Sequence, residues 1–237
     1  YEDLIEQHVD SGADITLLYH PVDNARDHYL NCKILNLNKQ KGVLSIENNP
    51  GTTKSRNIFM DAYIMKKELF VELVKKAKEM SSVFTLSDIV NVECKELDVR
   101  GVAHRGFFAS ITDFQCYYDA NMELINLKTA KMLFDPEWPI YTQTNNSCPT
   151  HYYETASIRD SVVSNGCMIE GTVEHSIIGR GCIIEKGAVI KNSIILTDVK
   201  VGKGVHVENC IVDKHSQLIR VKEIIGEPNK PAYIRRS

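Results

Sequence analysis

Several features that would quickly narrow the chemistry are missing from this 237-residue chain. It has no apolar run long enough to cross a bilayer and no visible signal peptide. Its seven cysteines, at 32, 94, 116, 148, 167, 182 and 210, form no CxxC pair, which argues against a zinc site. Several fall in strand-like stretches, the pattern of reduced, buried thiols, and a cytoplasmic protein is expected. Neither sign of charge dominates. A formal net charge of −3 gives no electrostatic case for nucleic acid or an anionic membrane. There is also no initiating Met: the chain begins at Tyr1 and opens directly on a helical pattern, so an N-terminally truncated piece of a longer protein is expected.

What is present is a soluble globular composition, 43% hydrophobic and 25% charged, in a chain long enough for two domains. The second half carries a repeat. Val173–Ile178 (VEHSII), Ile190–Ile195 (IKNSII) and Val207–Val212 (VENCIV) recur at 17 residues, and Ile158–Val163 (IRDSVV) is an earlier copy slightly out of phase. Short runs opening on an aliphatic and often holding Gly lie between them, such as Ile178-Gly-Arg-Gly and Val201-Gly-Lys-Gly. A repeat this short cannot bury its own apolar face, so copies must stack. Aliphatics five or six residues apart, with Gly or Asn at the corners, describe a triangular coil. The reading is a left-handed parallel β-helix of about four coils, spaced at roughly 4.8 Å. A β-sandwich would show longer alternating strands and no fixed phase.

The first half mixes helices and strands. Helices are expected over Tyr1–Gly12, Lys66–Met80, Thr85–Val92 and Thr112–Asn126, the last extended by Lys128–Leu133. Strands are expected over Ala13–Tyr19, Tyr29–Leu37, Val43–Glu47, Asn57–Met65 and Leu97–Ala109. In Lys66–Met80 the pattern points Leu69, Phe70, Leu73 and Val74 inward, and reads Lys67, Lys75, Lys76 and Lys78 as a solvated face. The Asp135-Pro-Glu-Trp-Pro139 run breaks the helical pattern, with Trp138 as a packing anchor. The expected domains are therefore an α/β domain over 1–135, a linker over 136–155, and the β-helix over 156–237, with the tail from Glu223 capping the last coil.

Five stretches carry a family resemblance. They are Tyr1–His8 with Ala13–Thr16; Glu47-Asn-Asn-Pro50; Phe59–Met65; Gly106–Ile111 with Tyr118–Met122; and Trp138–Thr142 leading into the coils. In order and spacing they resemble the ADP-glucose pyrophosphorylase (glucose-1-phosphate adenylyltransferase) family over nearly the whole chain. The resemblance implies an incomplete, Rossmann-like nucleotide-diphospho-sugar transferase domain followed by the left-handed β-helix. That family's glycine-rich nucleotide loop has no counterpart here.

The family joins ATP and glucose 1-phosphate into ADP-glucose and diphosphate. The chemistry needs Mg²⁺ and cations to hold two anionic substrates together. The likeness fails at those positions. Asn48 stands for a Lys that grips the sugar phosphate. Ser110 stands for a metal-ligating Asp, with Ala109 for a neighbouring Arg. Phe59 and Asp61 stand for a Ser and a Gly, and Val83 for a substrate-binding Asp. Glu47 is retained. A neutral hydroxyl is a poor substitute for a carboxylate around Mg²⁺.

The degenerate sugar-phosphate site is thus expected at Glu47, Asn48, Phe59, Asp61 and Ser110, with no catalytic residue, metal ligand or cofactor. Mg²⁺ and ATP belong to a catalytic partner. The combination resembles the regulatory-type (GlgD-type) subunit of glycogen biosynthesis. The expected partner is a catalytic ADP-glucose pyrophosphorylase subunit, and homo- or hetero-oligomers form through the β-helix. Two alternatives are an active sugar-phosphate nucleotidyltransferase with a divergent site, and a β-helix acyltransferase using His151, His175, His206 or His215. The last is weakened because His175 holds the corner position of Asn192 and Asn209.

Overall fold

The computed structural model describes residues 2–26, 28–80, 82–137, 139–142 and 146–236; Trp138, the expected anchor, lies outside them. Two compact units divide between Thr112 and Asp113.

In the first unit, helix α1 (Glu2–Ser11) ends at Gly12, whose φ of +64° is the left-handed stop a helix favours. Strands β1 (Ile15–Val22), β2 (Lys33–Leu37), β3 (Val43–Asn48), β4 (Arg56–Met65) and β5 (Val99–Ala103) form one sheet in the order β3-β2-β4-β1-β5. β1 runs parallel to β5 and antiparallel to β4. Alternation along the strands divides the apolar residues between the faces. Ile15, Leu17, Tyr19, Leu35, Phe59 and Val99 pack with Leu73, Ile89 and Val90 of helices α2 (Lys67–Lys78) and α3 (Leu86–Glu93). Ile34 and Ile58 cluster instead with Ala25 and Cys32. The β2–β3 turn covers the outer edge of β5, where the Gly101 N–H donates to the Lys41 carbonyl at 2.8 Å.

Three local expectations need correcting. The strand expected over Tyr29–Leu37 begins only at Lys33, after a turn in which Tyr29 is left-handed at φ 60°. In α2 only Leu73 is buried, with Leu69 and Ala77 packed beside the same cluster, while Phe70 and Val74 are 44% and 37% exposed. A helix laid on a sheet buries a narrow stripe at four-residue spacing, and residues 70 and 74 fall on its flank. The strand expected over Leu97–Ala109 stops at Ala103, and the chain to Ile111 is irregular, with Gly106 at φ +150°.

The second unit is a parallel β-solenoid with two helices. Short strands between His151 and Ile234 form three parallel sheets of five strands each. Ile184, Val201, Ile190, Val207, Ile195 and Val212 fill the interior and are fully buried. Ser157 pairs with Thr172, and Thr172 with Val189: one step of 15 residues and then one of 17. The shorter first step is why the IRDSVV copy sits out of phase. The tail does more than cap, because Glu223–Ile225 and Ala232–Ile234 are themselves the fifth strands of two sheets.

One corner is built from left-handed residues: Asp160, His175, Asn192 and Asn209 have φ of 43°, 42°, 42° and 51°. Asn, Asp and His tolerate this region better than other non-glycine residues. His175 is therefore a corner residue, as its register implied. The next position in each coil forms a ladder. Ser176 Oγ donates to the Glu174 carbonyl at 2.7 Å and accepts from the Ser193 N–H at 3.0 Å. Ser193 Oγ repeats this with Lys191 at 2.6 Å and the Cys210 N–H at 3.1 Å. At another corner, a Cβ on Gly179 would lie 2.7 Å from the Leu196 carbonyl carbon, so only glycine fits between these coils.

Helices α4 (Phe114–Glu123) and α5 (Leu127–Leu133) belong to this unit, although the sequence pattern places them before a boundary at 135. The cause is packing. Tyr118 of α4 is buried against Ile194 and Ile211, which point outward from one solenoid face, and its hydroxyl donates to the Asn192 carbonyl at 2.6 Å. Phe114 stacks on Tyr233 with centroids 4.9 Å apart.

Candidate functional site

The five residues expected at the sugar-phosphate position divide between the two faces of the first sheet. Glu47 pairs across the ladder with Ile34 and accepts a hydrogen bond from Ser45 Oγ at 2.6 Å. Ser110, in the loop after β5, lies 3.1 Å from Cys32 Sγ, and Cys32 clusters with Ile34 and Ile58. Phe59 faces the other way, buried in the α2–α3 core and edge-on to Tyr63 at 5.2 Å. Between Leu17 and Tyr19 of β1 the β4 partners jump from Tyr63 to Phe59, a bulge that contains Asp61 at φ +54°. A glycine would adopt that backbone freely, so the Gly expected from the resemblance has a conformational reason that Asp61 meets with a short polar side chain. Asp61 accepts from the Tyr63 hydroxyl at 2.7 Å. Burial first, then this carboxylate, pushes the Tyr63 hydroxyl pKa up.

Asn48 stands directly across the ladder from Lys33. A cation is therefore close to the position that lacks one, but it is already engaged. Lys33 Nζ donates to Asp88 at 2.9 Å, to Thr85 Oγ1 at 3.2 Å and to Ser87 Oγ. Asp88 also accepts from the Thr85 N–H at 2.9 Å, completing a capping box at the start of α3. The Lys33 ammonium holds the Asp88 carboxyl down to about 2. Asp88 thus neutralises Lys33, and Asp61 brings a second carboxylate to the same Tyr63 hydroxyl.

Asn49, next to Pro50, does not stand out in the sequence. It is buried, and its amide donates to the carbonyls of Ala25 at 2.8 Å, Tyr29 at 3.1 Å and His28 at 3.3 Å, while its oxygen accepts from the Gly51 N–H at 3.1 Å. Its polar capacity is used in tying down its own loop. A second group that the sequence does not reveal lies where the β1–β5 pairing ends: His20, His104 and Phe108. Burial first, then neighbouring His104, lowers the pKa of His20. Nearby residues alone give no sign of these groups: Asn49 reaches back to loop carbonyls 20 to 24 residues earlier, and the histidine pair depends on the β1–β5 pairing.

In the solenoid, His175 Nδ1 lies 2.7 Å from Asp160 Oδ2, and His215 Nδ1 lies 3.5 Å from Asp198 Oδ2. Asp198 and His215 are also left-handed, at φ 57° and 62°. The same pairing at two corners follows from the repeat stacking one tolerant residue on the next. Among the described residues, no group of three or more His, Cys, Asp or Glu is placed to hold a metal ion, and no helix is long and apolar enough to cross a membrane.

The class defined by this architecture is a hexapeptide-repeat β-solenoid joined to an α/β unit. Residues 148–232 match the family described as GlmU-like, C-terminal hexapeptide. The relatives it resembles over more of its length are glucose-1-phosphate adenylyltransferases. That of Bacillus thuringiensis (strain Al Hakam) is 25% identical over 233 residues, covering 97% of this chain and 61% of the relative, and that of Bacillus anthracis has the same values. That of Fervidobacterium nodosum is 27% identical over 218 residues, covering 91% of this chain and 52% of the relative. The chain thus spans between about half and three-fifths of the length of these relatives.

Proposed function

We propose that this chain is part of a regulatory, catalytically degenerate subunit of ADP-glucose synthesis, acting in glycogen biosynthesis beside a catalytic glucose-1-phosphate adenylyltransferase subunit in the cytoplasm. The proposal includes a nucleotidyltransferase-type α/β domain and a left-handed coil. Mg²⁺ and ATP chemistry is assigned to the partner. Similarity to the adenylyltransferases along 97% of the chain supports the family half of this reading. The degenerate half is carried by one observation: the cation facing Asn48, Lys33, is neutralised by Asp88. Ser110, the proposed substitute for a metal-binding carboxylate, adds support, since it is neutral and set against a thiol. Transfer of an adenylyl group from ATP to a sugar phosphate, with diphosphate leaving, depends on countercharge, and removing it costs orders of magnitude in rate.

Such a subunit acts by contact, stabilising one conformation of its partner through differential interaction with its states. The solenoid is the proposed contact region. The test is to purify the full-length protein, alone and with the catalytic subunit of its own cell, and to follow ADP-glucose formation. The reading predicts no turnover alone, a stable complex, and an altered rate or effector response in that complex. Turnover by the protein alone on the order of 10 s⁻¹, or the absence of any complex, contradicts it.

A further inference from the structure

His20 and His104 each follow the last paired residues of neighbouring parallel strands, Tyr19 of β1 and Ala103 of β5. β1 continues to Val22 against β4, so the pair lies where β5 leaves the sheet. The two Nδ1 atoms are 3.3 Å apart, with the rings tilted at 51° and their centroids 5.5 Å apart. Both rings are held. Phe108 stacks on His20 with centroids 4.7 Å apart and planes 15° from parallel. The His104 backbone N–H donates to the Tyr19 carbonyl at 2.7 Å. A Cβ on Gly106 would come within 3.3 Å of His104 Cε1, so the glycine leaves room for that ring.

A zinc–imidazole bond of about 2.0–2.1 Å in a tetrahedral site places two ligand nitrogens about 3.3–3.4 Å apart. The observed separation matches that edge. Without a metal the same contact is a long N–H···N hydrogen bond, one ring donating to the other according to tautomer. We propose that His20 and His104 form a two-imidazole site for a borderline divalent cation of the zinc type, each binding through Nδ1, with water in the remaining positions. Imidazole favours zinc, copper and nickel over magnesium, which takes oxygen ligands. The site is therefore chemically different from the magnesium position that the resemblance implies at Ser110. With two protein ligands it is weaker than structural zinc sites, which use four.

The test is a Zn²⁺ titration of the full chain, read by NMR of the histidine side chains. His20 and His104 should shift together, and ahead of the other six histidines of the chain. His104→Asn should raise the Zn²⁺ concentration needed to shift His20 by about tenfold or more. The backbone spectrum of the variant reports whether it is folded. Co²⁺ broadening of the wild-type spectrum gives a readout without substitution and should centre on these two residues. A His20 response unchanged in a folded His104→Asn variant, or Co²⁺ broadening centred elsewhere, overturns the proposal.

Discussion

Ser193 shows how a single hydroxyl holds two coils in register. It is fully buried, donates within its own coil and accepts from the Cys210 N–H of the next. Ser193→Ala leaves that N–H buried without a partner, and the expected cost is about 1–3 kcal/mol, measured as a lower urea midpoint for the loss of solenoid structure at unchanged m-value. Asp88 gives a prediction in pH. Its folded-state pKa is depressed to about 2 from 3.8, so its contribution to stability is present above 3.8 and is lost as pH falls toward 2. Lys33→Met removes the main cause. The difference in melting temperature between wild type and Lys33→Met should be constant near neutral pH and shrink below pH about 4. Because both side chains are about one-third exposed, the difference is expected to be small.

At the scale of elements, α4 is the piece whose placement matters most. It covers outward-facing Ile194 and Ile211, which would otherwise leave an apolar stripe in water. Tyr118→Ala opens that contact and should destabilise the second unit by about 3 kcal/mol, whereas Tyr118→Phe removes only the bond to the Asn192 carbonyl and should cost about 1 kcal/mol. Chemical denaturation followed by circular dichroism separates the two. The coils are legible in the sequence because their phase is local: each 17-residue step repeats an aliphatic, a tolerant corner and a serine or cysteine. The membership of α4 is not. Its helical pattern is visible in Thr112–Asn126, but nothing in that pattern says which surface it will cover. Phe70 and Val74 mark the same limit, since periodicity finds a helix more readily than the width of its buried stripe. Lys33 and His104 become candidates only because strand register sets them opposite Asn48 and beside His20.

For the whole molecule, the sequence indicates two architectures in series, and the structure divides into an α/β unit and a β-solenoid unit. The function proposed for it depends on what the first unit withholds. On the proposed reading, Asn48 and the Lys33–Asp88 pair on one side of the sheet, and Glu47 and Ser110 on the other, give a phosphosugar and a hard metal ion no shared set of fixed charges. The most direct measurement is calorimetric titration of glucose 1-phosphate with Mg²⁺ into the full-length protein, alongside the catalytic subunit as a positive control. The account predicts no saturable heat for the former at concentrations that saturate the latter. Saturable binding that is abolished by Glu47→Gln or Ser110→Ala would contradict it.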